Sequence, residues 1–174
     1  MKIRYFAIIS ILLILTGCNP NNPTPNSSIS ASWNATINGI DYSYTCSYTN
    51  GVASTNNLPG ACTYGTPSII LSKGVAAGTT GDEITISIEK QQLAVGTYTI
   101  TSSTSTNPGM SIVKNYATIG HSYYPNTNVT LNITEFPSSV GGLVKGNFNG
   151  VIGTSMFGTA TMPISGQFQV VRLF

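Results

Sequence analysis

From residue 32 onward, apolar and polar side chains alternate with a period of two, and no stretch repeats at the period of a helix. Trp33, Ala35 and Ile37 fall on one face, and Asn38-Gly39 follows, a pair suited to the left-handed backbone of a type I′ hairpin turn. Ile40, Tyr42, Tyr44, Cys46 and Tyr48 then continue in phase, with Asp41, Ser43, Thr45 and Ser47 opposite, up to a second turn signal at Asn50-Gly51. Ile69 to Leu71 is a short apolar run. Glu83 to Glu89 is the sharpest strand pattern, with Ile84, Ile86 and Ile88 on one side and Thr85 and Ser87 on the other. Further strands are predicted from Gly96, over Met110–Ile119, Val129–Phe136 and Leu143–Ile152, and from Gly166 to Leu173. Roughly eight to ten strands separated by Gly, Pro and Asn turns predict an all-β domain, an antiparallel β-sandwich, with a closed or partly open β-barrel as the alternative.

The first residues follow a different rule. Lys2 and Arg4 precede a nearly unbroken apolar run from Tyr5 to Leu15, too short for the roughly twenty residues of a membrane-spanning helix. This is the layout of a signal peptide. It ends in Leu15-Thr16-Gly17-Cys18, which resembles the lipobox of bacterial lipoproteins. That resemblance implies cleavage after residue 17 and a lipid-modified Cys18 at the new N-terminus. Anchoring then passes from a helix to acyl chains, of which two or more hold stably.

Residues 18–31 read as a tether, because Asn19-Pro20-Asn21-Asn22-Pro23-Thr24-Pro25 contains no side chain able to build a core. In polyproline II geometry, at about 3.1 Å per residue, such a segment holds a domain some 30 Å from a bilayer. The folded domain is predicted over 32–174. Asn19 is not the aspartate associated with inner-membrane retention, so the expected location is the outer membrane, and both its faces fit.

Composition removes several classes of partner. Charged residues make up 7% of the chain, against roughly 25% in an average soluble protein. Without Lys2 and Arg4, the cations Lys73, Lys90, Lys114, Lys145 and Arg172 balance the acids Asp41, Asp82, Glu83, Glu89 and Glu135. A neutral domain has no electrostatic hold on nucleic acid. Metal binding and catalysis lack their usual constellations: His121 is the one histidine, and the acids are scattered. The chain is therefore not expected to be an enzyme, and no cofactor is expected beyond the covalent lipid on Cys18.

Four groups of side chains stand out. Cys46 and Cys62 enclose fifteen residues, and in an oxidising envelope they are expected to form a disulfide. Tyr42, Tyr44 and Tyr48 share a strand face facing Trp33; this row is expected in the core, the alternative being an exposed sugar-stacking platform. His121-Ser122-Tyr123-Tyr124-Pro125 breaks the alternation and reads as a loop. Its His121, Tyr123 and Tyr124 are the candidate ligand-binding residues. Glu135 and Arg172 each carry a charge in phase with an apolar face, which predicts an ion pair between them.

Val129 to Phe136, Gly146-Asn147-Phe148 and Ser165-Gly166-Gln167-Phe168 together resemble the later strands of small β-sheet lipoproteins of Bacteroidota type. The resemblance implies an all-β envelope lipoprotein and brings no activity with it. Two functions fit: an interaction module for a glycan or an envelope protein, or a structural accessory subunit of an outer-membrane assembly.

Overall fold

The structure, a computed structural model, describes residues 28–49, 52–54, 60–65, 68–74, 81–89, 93–102 and 109–172, with backbone only at 49, 52–54 and 60–65. The predicted leader, Cys18, the Asn50-Gly51 turn and the side chain of Cys62 lie outside the described residues.

The domain is all-β. Its strands are β1 (Ser28–Ile37), β2 (Ile40–Thr49), β3 (Val52–Ser54), β4 (Gly60–Gly65), β5 (Ser68–Lys73), β6 (Ile84–Glu89), β7 (Gly96–Thr101), β8 (Gly109–Lys114), β9 (Ala117–His121), β10 (Asn128–Glu135), β11 (Leu143–Gly153) and β12 (Thr161–Arg172). One layer runs β7-β10-β11-β12-β1-β2-β3, and a second runs β4-β5-β6-β8-β9. Neighbours are antiparallel, except where Val171 and Arg172 at the end of β12 pair in parallel with Thr63 and Tyr64 of β4. That short parallel joint connects the layers, which otherwise meet face to face, β4 against β1 and β2, and β9 against β11. Among the described residues, β3, β7 and β9 each pair on one side only, so the sheet is not closed into a barrel.

The core lies between the layers. It takes Ala31, Trp33, Ala35 and Ile37 from β1, Tyr42, Cys46 and Tyr48 from β2, Ile84, Ile86 and Ile88 from β6, and Leu131, Phe148 and Phe168 from the later strands. The aromatic row at Tyr42, Tyr44 and Tyr48 is core, with Tyr44 partly covered at its margin. The indole Nε1 of Trp33 is buried without a hydrogen-bond partner among the described residues.

The two Gly-x-Phe motifs interlock. Register places Phe148 opposite Gly166 and Phe168 opposite Gly146, and the two rings stack with centroids 6.5 Å apart. Each glycine provides the space its partner's ring occupies.

Several boundaries move. β1 begins at Ser28 rather than residue 32, paired along its whole length with β2. The predicted strand Met110–Ile119 is two strands, β8 and β9, folded at Asn115-Tyr116, both with positive φ (49° and 66°). The described residues form twelve strands, because β3 and β4 arise in the turn-rich stretch after Asn50.

Candidate functional site: the loop end of the sandwich

β9 ends at His121, and residues 122–127 carry the chain across to β10. The crossing is held by a buried threonine. Thr127 Oγ accepts the Gly153 N–H at 2.8 Å, and its hydroxyl faces the carbonyls of His121 and Tyr124 at 3.2 and 3.1 Å. The Tyr124 N–H donates to His121 O at 3.0 Å, and the Ser122 N–H donates to Met110 O at 2.8 Å. Gly153 admits this arrangement, since a Cβ there would meet the Cβ of Tyr124 and the carbonyl of Pro125.

On this base the aromatic groups are displayed. His121 Nδ1 accepts the backbone N–H of Tyr123 at 3.1 Å, which fixes the ring's orientation and requires an unprotonated Nδ1. The Tyr123 ring stacks on the imidazole with centroids 4.6 Å apart and planes 19° from parallel. Partial burial holds the His121 pKa below its ordinary value, opposed in part by the charge of Glu89. Tyr124 lies tilted to the imidazole at 5.7 Å and is partly buried. His121 and Tyr123 are thus brought together with Tyr123 outward, 61% exposed, while Tyr124 serves mainly to pack the loop.

The adjoining loop between β11 and β12 extends the surface. It is tied to the first by Asn126 Nδ2, which donates to Thr159 O at 3.2 Å. It displays Met156 and Phe157, the latter 96% exposed. The β1–β2 hairpin reaches the same end, where Asn38 N–H donates to Pro163 O and half-exposed Ile40 stands beside the turn. Ile40, Tyr123, Met156 and Phe157 thus form an apolar rim around one end of the sandwich. Thr127, Met156 and Phe157 are absent from the sequence-derived candidates. Their signal was weak: one threonine among loop asparagines, and one apolar pair between small residues.

Glu135 does not pair with Arg172. The β10–β11 register shifts between Ile133 and Glu135, and this irregularity turns Glu135 out of the apolar phase to an exposed position. Its carboxylate there meets Lys145 Nζ at 2.6 Å. Arg172 Nη1 donates to Pro137 O at 2.6 Å, and its guanidinium lies 5.1 Å from the Phe136 ring centroid. Cys46 is buried in β2, and Cys62 lies on β4 with its side chain outside the described residues.

A second polar cluster closes the far end of β9. Lys114 Nζ meets Asp82 at 2.7 Å, and Asn115 Nδ2 donates to the same carboxylate at 3.1 Å. The hydrogen bond from Lys114, then that from Asn115, holds the Asp82 pKa below the usual carboxylate value. Among the described residues, no group of three or more His, Cys, Asp or Glu converges as metal ligands do. No protein family, no curated protein and no solved structure matches this chain.

Proposed function

We propose that this chain is a lipid-anchored envelope protein whose β-sandwich is a non-catalytic interaction module, docking a protein partner of the envelope through its loop end. The observation that carries the reading is the apolar rim of Ile40, Tyr123, Met156 and Phe157. Large apolar and aromatic side chains held outward on a rigid base are the residue types from which binding hot spots are built. The Thr127 clamp supplies that rigidity, so little ordering cost falls on the docking step. The Pro- and Asn-rich stretch and the lipid expected at Cys18 complete the reading: they put the domain within reach of a membrane neighbour.

Photo-crosslinking in cells tests it. A photoreactive amino acid at Tyr123 or Phe157 is expected to capture one discrete partner. The same probe at Tyr116, exposed at the far end of β9, is expected not to. Equal capture from both ends, or none from the loop end, overturns the reading.

A further inference from the structure

The outer face of the β7-to-β2 layer is built differently from the loop end. Cross-strand register aligns Thr97, Asn132, Asn147, Gln167, Asn34 and Ser43 in one row, and Thr99, Thr130, Asn149, Ser165, Thr36 and Asp41 in the next. Three shallow hollows lie over these rows, of about 390, 270 and 310 Å³. They are continuous: Asn34 lines all three, Asn147 and Gln167 line two, and Thr36 links the second to the third. From β11 to β2 the track crosses four strands, about 14 Å at the usual interstrand spacing.

The track carries little charge and none of it net positive. Lys145 at one end is paired with Glu135, and at the other the Asp41 carboxylate, the single uncompensated charge, accepts the Thr36 hydroxyl at 2.6 Å. Gln169 is likewise engaged with Ser32. Between them, the side chains of Asn34, Asn147, Asn149 and Gln167 make no hydrogen bond within the described protein. Each such amide offers two N–H donors and a carbonyl acceptor side by side. None of the exposed large apolar side chains lines the hollows, so this face lacks the anchors of a protein interface. It also lacks the excess of cations a polyanion needs.

We infer that this face is a second binding site and that its ligand is a neutral polysaccharide chain, whose hydroxyl pairs match the uncommitted amides of Asn34, Asn147 and Gln167. A sugar hydroxyl both donates and accepts, as a carboxamide does, so one amide meets two neighbouring hydroxyls. An extended chain laid across the strands meets a fresh amide at each one. The inference is independent of the loop end: a different surface, on other residues, takes a different class of ligand.

Calorimetric titration of the full-length protein in detergent tests it, with cellohexaose, mannohexaose, xylohexaose and maltohexaose as probes. At least one neutral hexasaccharide is expected to bind at millimolar concentration or below. The double variant Asn34→Ala/Gln167→Ala is expected to weaken it by about tenfold or more, two lost hydrogen bonds' worth. Tyr123→Ala is expected to leave it unchanged. Both substitutions on the sheet are at exposed positions, and an unchanged melting temperature confirms that the fold is intact. No heat from any of the four sugars overturns the inference. So does binding that survives the double variant but is lost in Tyr123→Ala, which transfers the sugar to the loop end. The first result leaves protein capture by Tyr123 and Phe157 untouched, whereas the second would give the loop end a sugar ligand.

Discussion

The ring of Phe148 rests over Gly166, filling the space where any other residue would carry its Cβ. Gly166 has no left-handed φ, so the requirement is for space and not for conformation. The reciprocal pair, Phe168 over Gly146, leaves 2.6 Å between the ring's Cζ and a Cβ built on the glycine. Gly166→Ala is therefore expected to destabilise the domain by about 2 kcal/mol or more, in the range of overpacked cores. Phe148→Leu in the same chain is expected to recover only part of the loss. The ring can yield, but the backbone carbonyl of Asn34, 2.6 Å from the same Cβ, cannot. Chemical denaturation of the two variants measures both quantities, and full recovery in the double variant would show the ring to be the sole obstacle.

Tyr116 is expected to respond in the opposite direction. It occupies the second position of the β8–β9 turn with φ of 66° and is 88% exposed, so its side chain gains little burial to offset a left-handed backbone. That backbone costs an L-residue roughly 1–2 kcal/mol. Its hydroxyl is engaged with Glu83, the main cause of its raised pKa, but an exposed contact of this kind contributes little. Tyr116→Gly should raise stability by about 1 kcal/mol. A lower melting temperature would mean that the Glu83 contact outweighs the strain.

Acidification should loosen the loop end. The folded pKa of His121 lies below its ordinary 6.5, so the unfolded chain binds the proton more tightly than the folded one. Stability held above pH 6.5 is then lost as pH falls through the depressed folded value. Protonation at Nδ1 also removes the acceptor for the Tyr123 N–H. Asp82, held below its ordinary 3.8 by Lys114, adds a second loss of the same sign at lower pH. His121→Asn keeps an acceptor near Nδ1 and does not titrate. Melting temperatures against pH should therefore lose the upper step in this variant and keep the lower one.

Period-two alternation carried much of the fold because most strands have one core face and one wet face. The β1–β2 turn was legible since Asn38 and Gly39 both take positive φ, 49° and 80°, as their types predict. The β8–β9 turn was not, because its left-handed pair ends in a tyrosine. β4 is recognisable only through its partners, β5 along its whole length and the end of β12 more than a hundred positions away. Glu135 kept an inward phase in the sequence and left it through a register shift that alternation does not encode. The Gly-x-Phe repeat was visible, but its meaning depends on a register that sets position 148 against 166. Of the loop end, His121 and Tyr123 were legible as aromatics breaking the pattern. Thr127 was not, since its burial comes from Gly153 on another strand.

Cys46 is buried in β2, which packs against β4, the strand that carries Cys62. A Cys46–Cys62 bond is expected, enclosing positions 47 to 61, with a contribution of roughly 3 kcal/mol in the chain-entropy model. Intact mass after alkylation, with and without reduction, reads it directly: two added alkyl groups should appear only after reduction. Two groups added without reduction would exclude the bond.

Attachment is expected to rest on one atom, the sulfur of Cys18. The apolar stretch Tyr5–Leu15 is too short to hold the protein as a helix, and the domain beyond the leader has balanced charge and no general attraction to anionic lipid. Cys18→Ser should therefore abolish incorporation of an alkyne-tagged fatty acid and leave the protein unprocessed or released from the membrane fraction. The variant's domain should still fold, because the described strands begin at Ser28, ten positions beyond the substitution. A variant that stays membrane-bound at mature size would transfer the anchor to the domain itself, and the apolar rim at Tyr123 and Phe157 would be the surface to mutate next.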